Sequence, residues 1–342
     1  MNISLWGMVL TIDAAFALYV LTALLIGFIL VLVFRKTAKK EGSLKFEYLN
    51  EKRSQLIFNL NKIILSKEAG KKSVKKYEKE RKKQKPEGSR KGRTYVIEFD
   101  GGVNAAEVDN LREEITAILT VAEKNDEVVI ELTSPGGTVN GYGFASAQLQ
   151  RIKDAGLKLT ILVDQVAASG GYMMAVVGDK IVASPFAYIG SIGVVAEFPN
   201  FNRILKKYGV DYKTYTAGES KRTVTQFGEV TRDGEKKFKD SLKRIHDLFK
   251  KHVKTHRPGV DIKKIATGEH WTAQEALALK LVDEIKTSDD YIVERMSKTH
   301  VYRVTFEQPK EPKKMFPAFA EALMNAAFDR IETYLKKNSI NF

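Results

Sequence analysis

The sequence contains no cysteine among its 342 residues. Disulfide bonds, a thiol nucleophile and every metal site built on thiolate ligands are therefore excluded. Histidine is scarce as well, with 5 residues. His252 and His256 stand four residues apart, a spacing that can bind a metal on a helix, but they lack the glutamate of the zinc-peptidase motif. We therefore expect no metal and no other cofactor.

The same scarcity gives little support to a Ser–His–Asp triad. His246, His252 and His256 fall on a strongly charged helical pattern, where solvated histidines are expected. His270 falls in a predicted loop, and His300 stands at the predicted end of the folded domain. If a serine in this chain is a nucleophile, a different side chain must take its proton.

Positive charge is concentrated in one segment. The net charge of the chain is +14. Between Arg35 and Arg93 there are 21 basic residues against 7 acidic ones, so this segment alone accounts for the excess and the remaining chain is neutral. A nucleic-acid-binding fold would spread its basic residues over one face of the domain. We therefore expect no nucleic-acid partner.

A single long apolar run precedes this basic segment. Residues 14–34 carry no charge and are rich in Leu, Ile, Val and Phe, and a helix of that length crosses a bilayer core of about 30 Å. A cleaved signal peptide would need a basic amino-terminal region and a small-residue cleavage site. Residues 1–13 contain no Lys or Arg, and Val33-Phe34-Arg35 is no such site. We predict an uncleaved membrane anchor over 14–34, after a short tail over 1–13.

The segments on either side of the folded domain have amphipathic patterns. Residues 35–93 are interpreted as a basic linker, in which apolar residues at helical spacing predict an amphipathic helix over 43–66. Its apolar side could lie on the membrane surface or pack on a partner. The Lys-rich part over 71–91 could attract anionic lipid head groups. Residues 301–342 are interpreted as a tail with an amphipathic helix over 315–337.

Residues 94–300 alternate between strand and helix patterns. Strands are predicted over 94–99, 127–132, 158–163 and 211–216, and helices over 105–122, 142–155, 169–177, 201–208 and 231–256. This alternation predicts an α/β domain with mainly parallel strands. Active groups in such domains gather where the strands end.

Ser169 stands at one of these strand ends, directly before the small-residue helix that begins with Gly170. The first N–H groups of a helix are unpaired and can hold the oxyanion of an attacked carbonyl. The alternative is a purely structural role, in which Ser169 only caps the helix. Ser134-Pro135-Gly136-Gly137 follows another predicted strand, so the amides of Gly136 and Gly137 could supply the other half of an oxyanion hole. A plain turn is the alternative there.

Two further residues belong to the hypothesis. Lys221 lies in a polar loop, where a lysine is usually a solvated charge; it can act as a base only when it is neutral and next to Ser169. Ser191, in Gly190-Ser191-Ile192-Gly193, could orient the lysine amine or be a simple turn serine.

Together these motifs resemble the SppA/SohB family of signal-peptide peptidases, over about 94–285. The resemblance implies a Clp-protease/crotonase-like fold of repeated ββα units and a Ser–Lys dyad. By this resemblance Ser169 is the nucleophile, Lys221 the general base and Ser191 its supporting serine. Gly136 and Gly170 fall on the oxyanion positions.

The resemblance implies a serine endopeptidase of the bacterial inner membrane that hydrolyses hydrophobic or membrane-derived peptides and forms a homo-oligomer. Two alternatives stay open: a crotonase-type acyl-thioester enzyme and a non-catalytic membrane scaffold. The side of the membrane is a further open point. Arg35, Lys36, Lys39 and Lys40 favour a cytoplasmic catalytic domain, whereas relatives are usually described as facing outward. We expect the cytoplasmic side on charge asymmetry.

Overall fold

The computed structural model describes residues 42–64, 92–218 and 221–308, together with the single residues 27, 75 and 79. Leu44–Phe306 form one compact unit. The predicted anchor over 14–34, apart from the single residue Gly27, and the predicted tail helix over 315–337 lie outside the described residues. Within the described ranges, no helix combines the length and the apolar character needed to cross a bilayer.

The main sheet has seven strands, in the spatial order β1-β10-β2-β3-β4-β6-β9. Their bounds are β1 Ser43–Tyr48, β2 Arg93–Asp100, β3 Glu127–Thr133, β4 Lys158–Val163, β6 Lys180–Ala183, β9 Glu284–Ile285 and β10 His300–Glu307. From β10 to β9 every adjacent pair is parallel. The prediction of a mainly parallel α/β domain is therefore confirmed.

A second sheet of three short strands carries the candidate site. Its strands are β5 Val166–Ala168, β7 Tyr188–Gly190 and β8 His270–Thr272, in the order β5-β7-β8. β5 pairs with β7 in parallel, and β7 with β8 in antiparallel orientation. A bridge between Ser134 and Ala167 connects β5 to the loop after β3. This contact brings the ends of two predicted strands together.

Nine helices of the described residues surround these sheets. They are α1 Leu49–Ile64, α2 Val108–Val121, α3 Val139–Asp154, α4 Gly170–Ala175, α5 Asn202–Lys207, α6 Arg232–His256, α7 Ile262–Ile265, α8 Ala273–Ala278 and α9 Ser288–Lys298. Residues 211–216, predicted as a strand, are irregular instead. They pair with no strand of the described sheets, and a pattern of β-formers without a paired edge does not make a strand.

Both faces of the main sheet are buried, as parallel sheets require. Along β2, Ile97 packs into the larger core cluster with α2, α3 and α4, whereas its neighbour Val96 packs into a smaller cluster on the other face. The smaller cluster includes Leu49 at the start of α1 and Ile292 of α9. Because the central strands β2, β3, β4 and β6 are mostly buried, their sequences are largely apolar.

The compact unit is wider than the predicted domain of 94–300. Residues 43–48 form strand β1 rather than part of a helix, and residues 301–307 belong to β10, inside the sheet. The side chain of Asn50 attaches the amino-terminal segment to the domain. Its Nδ2 donates to the Met296 carbonyl at 2.8 Å, and its Oδ1 accepts from the backbone amide of Val301 at 2.8 Å. The basic segment thus contributes an edge strand and a helix to the domain.

Candidate active site

Ser169 connects β5 to α4 in a strained backbone conformation. Its φ of 50° and ψ of −117° lie outside the regions that residues with a side chain normally adopt. The turn is held from both sides, because the Ser169 amide donates to the Gly190 carbonyl at 2.8 Å and the Ser169 carbonyl accepts from the Met173 amide at 2.9 Å. The side chain is half-buried. Such strain is characteristic of functional sites.

The glycine loop after β3 lies against this turn. Gly136 has a φ of +92°, and a Cβ there would lie 2.7 Å from Cβ of Ser169 and 2.6 Å from the amide nitrogen of Gly170. Real Cβ atoms do not approach that closely, so only glycine fits. A Cβ on Gly137 would lie 2.0 Å from the Val103 carbonyl oxygen. The structure therefore packs Gly136 against Ser169 and Gly170, and the close approach of Val103 requires glycine at position 137.

The amides of these glycines differ in their partners. The Gly136 amide donates to Oγ of Ser134 at 3.1 Å. Among the described residues, the amides of Gly137 and Gly170 have no hydrogen-bond acceptor. Unpaired N–H groups next to a nucleophile are what an oxyanion needs, and Gly170 directly follows Ser169 in the chain. Gly136 allows the conformation of the loop through its positive φ, and its own amide is already hydrogen-bonded to Ser134.

Ser134 and Tyr142 form a buried hydroxyl pair beneath both loops. Their hydroxyl groups are hydrogen-bonded to each other. Oγ of Ser134 also contacts the Gly101 carbonyl at 3.0 Å, and the hydroxyl of Tyr142 contacts the Gly102 carbonyl at 2.8 Å. Burial raises the pKa of Tyr142, which keeps its hydroxyl protonated as a donor. Sequence reasoning missed this pair, although Ser134 stands in the quoted motif.

The ring of Tyr142 also lies against the nucleophile turn. A Cβ on Gly170 would lie 2.4 Å from the Tyr142 ring. One side chain therefore supports the glycine loop through its hydroxyl and the start of α4 through its ring. A tyrosine in a helix pattern gives no sign of this role, since packing is the default expectation for an aromatic residue.

Ser191 lies at the end of β7, beside Ser169. The parallel register pairs Ala168 with Gly190, so the two serines are the next residues along neighbouring strands. Ser191 also has a positive φ, of 53°, and its amide donates to the Glu269 carbonyl at 2.7 Å. Two strained serines therefore leave the small sheet side by side.

Lys221 is not brought to these serines within the described residues of one chain. Its side chain is exposed, and none of the hydrogen bonds in the described part of the protein joins it to Ser169 or Ser191. Its backbone amide donates to the Gly218 carbonyl at 3.1 Å. Of the predicted dyad, the described residues of one chain therefore place Ser169 at the site, without a hydrogen bond to Lys221.

The histidines of α6 face the domain, so the expectation that they are solvated is wrong. Nε2 of His252 donates to the Met173 carbonyl at 2.9 Å, and His256 lies 3.2 Å from Oε1 of Gln150. Burial lowers the pKa of His252, which favours its neutral form. α6 packs on the core through Phe249 and Val253, and the histidines flank this apolar stripe. In the described ranges, no three His, Asp or Glu residues are grouped as metal ligands.

Comparison with known proteins identifies the family of this chain. The profile of peptidase family S49 matches residues 151–302, and that of the S49 N-terminal region matches residues 7–149. The chain is 47% identical to "Probable protease SohB" of Haemophilus influenzae, with 98% of each chain covered. The chain belongs to peptidase family S49.

A second relative supports this assignment. A protein named "Probable protease SohB" from Buchnera aphidicola subsp. Schlechtendalia chinensis is 44% identical over 82% of this chain and 96% of the relative. The resemblance to signal-peptide peptidases is therefore confirmed, and the protein is a serine peptidase. Its α/β structure with a mainly parallel sheet is consistent with the family.

Proposed function

We propose that this S49 peptidase is a membrane-anchored endopeptidase in which Ser169 is the nucleophile. The observation that carries the assignment is the strained turn at Ser169, which lies against Gly136 and directly before the unpaired amide of Gly170. A strained serine at a strand-to-helix turn, with donors for an oxyanion on both sides, has the parts that acyl transfer requires. The small sheet beside the main parallel sheet supports the finer assignment to a Clp-protease/crotonase-like fold.

In this mechanism Oγ of Ser169 attacks the carbonyl carbon of the scissile peptide bond. The neutral amine of Lys221 takes the hydroxyl proton as the new C–O bond forms. The carbonyl oxygen becomes an oxyanion and accepts hydrogen bonds from the amides of Gly137 and Gly170. The C–N bond then breaks, and the lysine returns the proton to the leaving amine. The same lysine then deprotonates a water molecule that attacks the acyl carbon. The ester C–O bond to Ser169 breaks, and the lysine returns the proton to Oγ of Ser169.

Lys221 must approach Ser169 for this chemistry, and we propose that assembly of a homo-oligomer brings it there. The proposal is supported by the exposure of Lys221 in the single chain and by the absence of a Lys221–Ser169 contact among the described residues. Ser191 would orient the amine, because it leaves β7 next to Ser169. Head-to-tail contacts that close into a ring are an ordinary way to bring residues of two subunits together.

The substrates we propose are hydrophobic or membrane-derived peptides. The uncharged run over 14–34 supports an anchor that keeps the peptidase at the bacterial inner membrane, where such segments are abundant. No cofactor enters the mechanism, since the serine, the lysine and the backbone amides supply every proton and electron pair that it needs.

A fluorophosphonate probe tests the assignment on the purified full chain. The probe is expected to acquire a covalent bond to Ser169, mapped by mass spectrometry, in wild-type protein but not in Ser169→Ala. Ser297→Ala is a matched control, because Ser297 is an exposed serine of α9 whose hydroxyl donates to the Glu294 carbonyl of its own helix. Labelling that persists in Ser169→Ala, or that maps to another serine, would contradict the proposal.

A further inference from the structure

Helix α1 carries an apolar face that the described protein leaves exposed. Leu56, Leu60 and Ile63 recur at helical spacing, flanked by Ile57 and Ile64. At 3.6 residues per turn, these five side chains cover about 120° of the circumference. Ile63 is 81% exposed and Ile64 74% exposed. We call these five residues the apolar face of α1.

The domain buries the first turn of α1. Leu49 and Asn50 are its only buried residues among those described. Nδ2 of the Asn50 side chain donates to the Met296 and Thr299 carbonyls, at 2.8 Å and 3.2 Å. Its Oδ1 accepts from the backbone amide of Val301 at 2.8 Å. These bonds fix where the helix begins, whereas the apolar face lies beyond the part that the domain covers.

The other side of α1 is mainly polar, with the half-buried Phe58 as its apolar member. Glu51, Gln55 and Lys62 lie opposite the apolar face at helical spacing. A helix with one exposed apolar face and one polar face suits the boundary between a bilayer and water. The same amphipathic pattern would also suit a protein partner, so charge and position along the chain must decide between them.

Charge favours a lipid surface over a second copy of the chain. The segment Arg35–Arg93, which contains α1, carries a net charge of +14. Two such segments would repel each other across a self-interface, whereas anionic head groups attract them. The apolar face gives short-range binding to the lipid, and the basic residues around it give attraction at longer range.

Position along the chain gives the second argument. Residues 35–43 separate the end of the uncharged run at Phe34 from the start of the compact unit at Leu44. Nine residues span at most about 30 Å even when fully extended. If residues 14–34 cross the bilayer, the start of β1, the strand that leads directly into α1, therefore lies within about 30 Å of the membrane surface from which the chain emerges.

We propose that the apolar face of α1 docks on the surface of an anionic lipid bilayer. The inference rests on the proposed membrane anchor, which supplies the proximity. Because Asn50 ties the first turn of α1 to α9 and β10, docking of α1 fixes the orientation of the whole peptidase domain. The site is then held at a set height above the bilayer, next to peptides that leave it.

The lack of cysteine in the chain makes the test direct. Leu60→Cys and Gln55→Cys are each labelled with the fluorophore NBD and reconstituted, as full chains, into vesicles of phosphatidylglycerol and phosphatidylcholine. The two positions are five residues apart and so about 140° apart around the helix. The emission of NBD at position 60 is expected to shift to shorter wavelength and to be quenched by nitroxide-labelled lipids. The depth of quenching should place the label about 5–10 Å into the interface.

The label at position 55 is expected to stay in water and to escape quenching. Vesicles of phosphatidylcholine alone should weaken the signal at position 60, because the anionic head groups are missing. Ile63→Asp should also weaken it, while fluorophosphonate labelling of Ser169 stays at the wild-type level, since Ile63 is exposed and outside the core.

Equal quenching at the two positions would overturn the proposal. A blue shift at position 60 that lipid quenchers do not affect and that disappears on dilution of the protein would indicate a second copy instead, and would overturn it as well. Flotation of the vesicles tests the anchor separately. A chain that fails to float overturns anchor and docking together, whereas a floating chain with an unquenched label at position 60 overturns the docking alone.

Discussion

Gly136 and Ser169 lie so close that a single added carbon atom at position 136 would collide with the nucleophile turn. A Cβ on Gly136 would be 2.7 Å from Cβ of Ser169. The φ of Gly136, +92°, is also one that residues with side chains rarely adopt. Space and backbone conformation therefore both require glycine at this position.

Gly136→Ala is expected to lower kcat/KM for peptide hydrolysis by about 100-fold or more, the cost of losing oxyanion stabilisation. The added methyl group would push the glycine loop away from Ser169. Gly143→Ala is the matched control, because a Cβ at that helical position meets nothing within 4 Å. It should keep full activity and stabilise α3 by about 0.5–1 kcal/mol. Comparable activities of the two variants would contradict this role for Gly136.

The Ser134–Tyr142 pair provides a second prediction. Ser134→Ala removes the acceptor of the Gly136 amide, whereas Tyr142→Phe leaves that bond and the ring in place. We expect both variants to lose about 1–3 kcal/mol of unfolding free energy, the cost of an unsatisfied buried group. Only Ser134→Ala should also lower kcat by about tenfold with KM little changed, because the loop beside Ser169 loses its fixed shape.

The comparison is made by urea unfolding and steady-state kinetics on the same preparations. An unchanged kcat in Ser134→Ala, together with the loss of stability, would show that the hydroxyl pair is structural only. A larger kinetic effect for Tyr142→Phe than for Ser134→Ala would place the important contact at the Gly102 carbonyl instead.

Local sequence was sufficient to predict the central strands of the fold. The run over 158–163 was predicted as a strand and is β4, because a buried parallel strand shows as a continuous apolar segment between turn signals. The placement of Ser169 before a helix followed from the glycines after it. These features depend on residues next to one another in the chain.

Features that depend on distant partners could not be predicted. β1 is a strand because an edge of the sheet is available beside β10, about 250 residues away, and its own sequence was interpreted as part of a helix. His252 is half-buried because α6 packs on the core, which its charged sequence conceals. The position of Ser191 beside Ser169 likewise depends on the pairing of β7 with β5.

Mixed oligomers test whether Lys221 acts on a neighbouring subunit. Ser169→Ala and Lys221→Ala should each be inactive alone, and subunits mixed after dissociation should recover activity, because some interfaces then combine an intact serine with an intact lysine. Lys221→Arg should be as inactive as Lys221→Ala, since a guanidinium does not deprotonate. Active Lys221→Arg would rule out the general-base role, and an active monomer in light scattering would rule out assembly as a requirement.

The side of the membrane can be tested with reporters fused after Phe342. The flank after the uncharged run contains Arg35, Lys36, Lys39 and Lys40, whereas residues 1–13 carry only Asp13. Basic residues next to a span favour the cytoplasmic side. We therefore expect a fused fluorescent protein to be bright and a fused alkaline phosphatase to be inactive. An active phosphatase fusion would place the catalytic domain on the outer side.

Glu114 provides a prediction for the pH dependence of stability. It is buried in α2, where its carboxylate accepts a hydrogen bond from the Phe306 amide at 2.7 Å. Burial raises its pKa from 4.5 to about 7, and the nearby charge of Glu98 acts in the same direction. Between these two pH values the folded protein binds more protons than the unfolded chain, so this group makes the protein less stable as the pH rises.

Glu114→Gln removes the ionisation and keeps an oxygen for the Phe306 amide. Relative to wild type, the variant should gain up to about 3 kcal/mol of unfolding free energy between pH 4.5 and pH 8, from a shift of about 2.5 pKa units at 1.36 kcal/mol each. The measurement is urea unfolding of the detergent-solubilised full chain across this range. Glu113→Gln, at a neighbouring exposed carboxylate paired with Arg112, should run parallel to wild type. If Glu114→Gln also runs parallel to wild type, Glu114 is ionised in the folded protein at neutral pH and its burial is offset by other charges.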